Sequence, residues 1–96
     1  MTIEKIVNGN TAELKLNGWL DTQTAPELEA ELRSLEPEIT ALVLDFSELD
    51  YISSAGLRLI VAAYKKMNGE LTLRNVSEEI MSVIRMTGLD KRMRFE

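Results

Sequence analysis

The chain has 96 residues, of which 45% are hydrophobic and 28% charged, the profile of one small soluble globular domain rather than a disordered segment. It contains no cysteine and no histidine, which excludes disulfides, thiolate zinc sites, cysteine nucleophiles and histidine general bases. A net charge of −5 lacks the basic footprint that phosphate-backbone binding requires, so no nucleic-acid partner is expected.

The first residues, Met1-Thr2-Ile3-Glu4-Lys5-Ile6, show no basic segment followed by an apolar run, so no secretory signal is read there. Thr2–Val7 reads as a short strand, and Asn8-Gly9-Asn10 as a turn whose residues tolerate positive φ. Ala12, Leu14, Leu16 and Leu20 then alternate with Glu13, Lys15 and Asn17, the period-2 pattern of a half-buried strand. The same alternation turns Trp19 outward, either as an anchor for a partner or folded over a neighbouring helix.

Thr24-Ala25-Pro26-Glu27 reads as a helix start, with Thr24 capping, Pro26 in the first turn and Glu27 completing a capping box. Ala25, Leu28, Leu32 and Leu35 fall on one face, and Pro37 ends the run. Ile39–Phe46 is nearly continuous apolar and has the look of a central strand covered on both faces. A polar loop is expected after it. Leu57, Ile60, Val61, Tyr64 and Met67 follow at helical spacing, stopped by Asn68-Gly69.

Glu70–Arg74 reads as a short strand with Leu71 and Leu73 inward. Ser77 caps a third helix that carries Ile80, Val83 and Ile84 inward and ends at Gly88. Lys91–Glu96 is available as a last edge strand. The longest apolar stretch, Leu59–Tyr64, is far short of the ~20 residues that span a bilayer, so a cytoplasmic location without a membrane partner is expected. The expected fold is a single α/β domain over residues 1–96, a mixed sheet of four to five strands packed with three or more helices. The strands on either side of the second helix should form a right-handed parallel unit.

Chemistry concentrates at Leu42–Arg58, where a strand, a polar stretch and two serines precede an apolar helix. From the residues alone, Ser53 and Ser54 read as helix-capping hydroxyls. Gly56 in the first turn weakens the helix and points to a close backbone approach there. A serine nucleophile needs a base, and none is at hand: there is no histidine and no G-x-S-x-G, and Lys65 and Lys66 lie about three turns down the helix. Phosphate-cradling glycine motifs are absent. Asp21, Asp45 and Asp50 have no diagnostic metal-ligand spacing. No catalytic residue, cofactor or metal is therefore expected.

The element order, the G-W-L-D at Gly18–Asp21 and the L-D-F-S-E-L-D-Y-I-S-S-A-G-L-R at Leu44–Arg58 resemble the STAS-domain family of anti-sigma factor antagonists. In that family the serine two residues before the helix glycine is the phosphoacceptor, and that position here is Ser54. The family's usual Asp before this serine and Ser or Thr after it are Ser53 and Ala55 here. Its common Glu in G-E-L-D is Trp19, while Asp21 is kept.

What the resemblance implies is a partner switch and not an enzyme. The unphosphorylated antagonist binds an anti-sigma factor that is also a serine kinase of the histidine-kinase-like ATPase class, and so frees the sigma factor. Phosphorylation of Ser54 breaks the complex, and a metal-dependent, PP2C-type phosphatase restores it. The expected partner-facing surface comprises Trp19, Asp21, Thr22, Ser53, Ser54, Ala55, Gly56 and Arg58. Two alternatives keep the fold without the phosphoswitch: a subunit bracing the ATPase of a lipid-trafficking transporter, and a self-associating signalling scaffold. Charge is uneven along the chain. Residues 1–50 carry three basic and eleven acidic side chains, a balance of −8, and residues 51–96 carry eight and five, a balance of +3. Ser54 stands at the start of the basic half.

Overall fold

A computed structural model describes all residues, 1–96. The strands are β1 (Thr2–Asn8), β2 (Thr11–Leu20), β3 (Ala41–Ile52), β4 (Leu71–Arg74) and β5 (Arg94–Phe95). The helices are α1 (Ala25–Arg33), α2 (Ser54–Lys66) and α3 (Glu78–Thr87), followed by a 3₁₀ turn at Leu89–Lys91. The five strands form one sheet in sequence order. β1 and β2 are an antiparallel hairpin, and every later pairing is parallel.

That order explains where the core lies. Each crossover, β2-α1-β3, β3-α2-β4 and β4-α3-β5, steps one strand in the same direction along the sheet. Parallel crossovers are right-handed, so all three helices are laid on one face. Ala12, Leu14 and Leu16 of β2, Leu42 and Leu44 of β3, and Leu71 and Leu73 of β4 point to that face. They meet Leu28 and Leu32 of α1, Ile60 and Ala63 of α2, and Ile80 and Ile84 of α3 in one buried cluster.

The opposite face carries no helix. There Val43 and Ala41 are only half-buried, so the apolar run of β3 is covered on one face and not on both as the sequence suggested. Cross-strand ion pairing dresses this face: Arg74 of β4 reaches over β3 to Glu13 of β2 and also holds Glu96.

β3 is longer than its apolar run. The stretch Ser47–Ile52, expected as a loop, continues as strand and pairs with β2 from Asn17 to Leu20. Two register shifts, each placing one extra residue on β3, break the alternation of buried and exposed positions there. The first is set by Asp45, whose Oδ1 accepts from the Ser47 N–H at 2.9 Å and from the Asn75 side-chain amide at 3.2 Å. Burial pushes the Asp45 carboxyl up, but those hydrogen bonds and the nearby Lys15 charge more than offset it and hold the group below its ordinary value.

Candidate functional site

β2 and β3 run parallel and end side by side, with Trp19 opposite Tyr51 and Leu20 opposite Ile52. These strand ends, the turn after β2 and the start of α2 carry the residues of the expected partner-facing surface. In open α/β sheets, ligands meet the protein at the carboxyl ends of the strands. Leu20 and Ile52 point into the core, so their neighbours Trp19 and Tyr51 face solvent at 58% and 47% exposure. The two rings lie 5.4 Å apart at 48°, a tilted aromatic pair. Trp19 thus leans on Tyr51. Tyr51 was missed in the sequence because Leu49 and Ile52, three apart around a bulge, give no strand periodicity.

The turn after β2 is built by Asp21. Its Oδ1 accepts from the backbone N–H groups of Gln23 (2.9 Å) and Thr24 (3.0 Å), and these bonds, Thr24's foremost, hold its carboxyl below the usual range. Thr24 does not cap α1 as expected. Its own backbone is already helical, and its hydroxyl instead donates to the Trp19 carbonyl at 2.7 Å and accepts from the Asp21 N–H at 2.9 Å. The capping box with Glu27 is therefore absent. Thr24 works backwards along the chain, fixing the segment from Trp19 to Asp21, with Thr22 exposed at the tip of the turn.

The second loop is a single residue. The Ser53 N–H donates to the Leu20 carbonyl at 2.9 Å, tying the start of α2 to the end of β2. The Ser53 hydroxyl accepts from the Gly56 N–H at 3.3 Å and is the N-cap of α2. Of the two serines, Ser53 takes the capping role. Ser54 is the first helical residue, exposed, and its hydroxyl makes no protein hydrogen bond. Gly56 is buried because the helix start presses on both strand ends: a Cβ there would lie 2.8 Å from Ile52 Cγ1 and 2.8 Å from Leu20 Cγ. Ala55 is half-buried beside it, and Arg58, one turn on, is exposed and forms no ion pair.

Trp19, Asp21 and Thr22 are thereby brought to the same edge as Ser53, Ser54, Ala55, Gly56 and Arg58. Asp45 and Asp50 are not drawn into a metal-binding cluster with Asp21, and no group of three or more acidic side chains converges anywhere in the chain. A cavity of about 220 Å³ opens between the end of β3 and α3, lined by Asp50, Tyr51, Ile52, Glu79, Ile80 and Val83. No helix is long and apolar enough to cross a membrane.

The family model of the STAS domain matches residues 2–96. The chain is 36% identical over 93 residues to the anti-sigma-B factor antagonist of Staphylococcus epidermidis, covering 93% of this chain and 86% of that protein. It is 31% identical over 85 residues to the anti-sigma-B factor antagonist of Bacillus subtilis, covering 85% and 78%. Among solved structures, an anti-sigma factor antagonist from Mycobacterium paratuberculosis superimposes with a TM-score of 0.87 at 27% identity, over 98% of this chain and 83% of that one. Unphosphorylated SpoIIAA, an anti-sigma factor antagonist, shares the fold with a TM-score of 0.79 at 18% identity, over 99% and 87%. With its sheet order, its strand-end edge and these relatives taken together, the chain belongs to the STAS-domain family of anti-sigma factor antagonists.

Proposed function

We propose that the protein is an anti-sigma factor antagonist that works by partner switching, with Ser54 as the phosphoacceptor. One observation carries this reading: Ser53 supplies the helix cap, which leaves the Ser54 hydroxyl exposed and unbonded at the first position of α2. The relatives named as antagonists supply the class of partner, an anti-sigma factor. In the step proposed, the Ser54 oxygen attacks the γ-phosphorus of ATP held by the partner kinase. The bond to ADP breaks, and the hydroxyl proton passes to a base of the kinase. A PP2C-type phosphatase reverses the modification with water, releasing inorganic phosphate and restoring the hydroxyl.

The physics of the position favours a switch in binding over a switch in folding. A phosphate brings about −1.5 to −2 charges at pH 7. At the N-terminus of α2 it meets the positive end of the helix dipole, a favourable effect of about 0.3–1 kcal/mol, with the unpaired Arg58 one turn away. The fold is compatible with such a group, since SpoIIAA has also been solved in a phosphorylated form. At an interface centred on Trp19 and Ser54 the same dianion must be stripped of water or displaced, which can cost several kcal/mol. About 3 kcal/mol already lowers affinity more than a hundredfold.

The test is incubation with the cognate anti-sigma factor kinase and ATP, followed by mass mapping. Phosphate is expected on Ser54 of the parent chain and nowhere in Ser54→Ala. Ser54→Asp is expected to bind the unmodified kinase about a hundredfold more weakly. Phosphate on another residue, or undiminished binding by Ser54→Asp, overturns the assignment.

A further inference from the structure

The cavity beside Tyr51 has a composition that selects its occupant. Its floor is apolar and rigid: Ile52 and Ile80 are buried in the core and Val83 is half-buried. Tyr51, whose ring centroid lies 5.4 Å from that of Trp19, also lines it. At the rim stand Asp50 and Glu79, both exposed, and neither has a cationic partner in this chain. At about 220 Å³ the cavity is smaller than the roughly 300–1,000 Å³ of small-molecule sites. It is the size of a pocket that receives one side chain of another protein. The residues that anchor interfaces in such pockets are mainly Trp, Tyr and Arg. Two uncompensated carboxylates beside apolar side chains match a long apolar stem with a cationic head. The planar head of arginine, unlike the ammonium of lysine, can stack on Tyr51 while its fork of N–H donors reaches the carboxylates.

We propose that this cavity takes the side chain of an arginine presented by the protein partner. The identity of that partner rests on the partner-switching reading; the chemistry of the pocket does not. Tyr51 both lines the cavity and packs on Trp19, so the pocket continues the Trp19–Ser54 edge into a single docking surface. Its lining comes from the end of β3 and from α3, and Ser54 is not part of it. The pocket therefore serves recognition of the partner, while Ser54 carries the switch.

The proposal is tested by methyl and aromatic NMR on the full chain, titrated with N-acetyl-arginine methylamide and, separately, with its neutral citrulline counterpart. The arginine derivative is expected to shift the methyls of Ile52, Ile80 and Val83 and the ring of Tyr51, saturably. The citrulline derivative should leave them in place. Asp50→Asn combined with Glu79→Gln changes only exposed side chains and is expected to weaken the arginine response roughly three- to tenfold. Equal shifts with citrulline, shifts scattered over other acidic positions, or an arginine response that survives the double substitution overturn the proposal. The two assignments fail separately. A chain that is not phosphorylated on Ser54 but shows the arginine shifts loses the switch and keeps the pocket; the converse result loses the pocket and keeps the switch.

Discussion

At Gly56 the space for a methyl group is already occupied by Ile52 Cγ1 and Leu20 Cγ. These are atoms near the backbone of rigid strand ends and not flexible tips. Alanine would gain about 1 kcal/mol of helix propensity, while forcing an extra methyl into a packed site costs about 1–3 kcal/mol. Gly56→Ala is therefore expected to lower stability by about 1 kcal/mol net, a fall in Tm of roughly 4–8 °C by calorimetry. A second residue-scale effect comes from Asp45. Its folded carboxyl lies below its ordinary value of 3.8, so between the two values the unfolded chain binds more protons than the folded one. The stability it contributes is complete well above the ordinary value, from about pH 5 upward, and is lost progressively as pH falls through the folded value. Asp45→Asn is expected to be less stable at neutral pH and to lose less on acidification, read from urea midpoints between pH 6 and 3. A parallel acid limb in the variant would rule Asp45 out as a source.

Among the elements, the helix starts divide into two kinds. α2 and α3 are capped by serine hydroxyls, Ser53 to the Gly56 N–H at 3.3 Å and Ser77 to the Ile80 N–H at 3.2 Å. α1 has no side-chain cap, because Thr24 is spent on holding the turn after β2. Ser53→Ala should cost about 1 kcal/mol in chemical denaturation. If Ser54 replaced Ser53 as the cap in that variant, stability would be retained and phosphorylation of Ser54 would slow. The bulged half of β3 matters for the same reason. By continuing as strand to Ile52, it brings Tyr51 opposite Trp19 and leaves only Ser53 to turn the chain into α2.

For the molecule as a whole, the helices occupy one face of the sheet and the site occupies one edge. The radius of gyration, 12.1 Å, is close to the value of about 12.5 Å expected of a folded chain of this length. Nothing in the packing routes through the Ser54 side chain, which points away from the core. A charge there should leave the domain intact. Ser54→Asp is expected to unfold within about 0.5 kcal/mol of the parent and with the same m-value, even while partner binding drops. A large loss of stability would make the switch one of folding and contradict the binding mechanism.

How much of this was written in the sequence differs from residue to residue. The order of strands and helices, the inward rows of β2, α1 and α3, the caps at Ser53 or Ser54 and at Ser77, and the close approach at Gly56 were legible, because each follows from local periodicity or from the conformational cost of a single residue. Thr24 was misread as a cap because its preference for the Trp19 carbonyl depends on how the chain folds back, five residues apart. The second half of β3 was misread as loop because two bulges destroy the alternation that marks a strand. The grouping of Tyr51, Asp50 and Glu79 around one cavity could not be read for the same kind of reason: no spacing along the chain relates the end of β3 to the start of α3. Amino-acid order determined most of the elements and which residue types were available for chemistry, since local energetics and composition are properties of the chain alone. Only the tertiary structure decided which serine was left free and which face stayed open. It also brought an acidic, apolar-floored pocket beside the aromatic pair, because these depend on contacts between segments that the right-handed crossovers bring together.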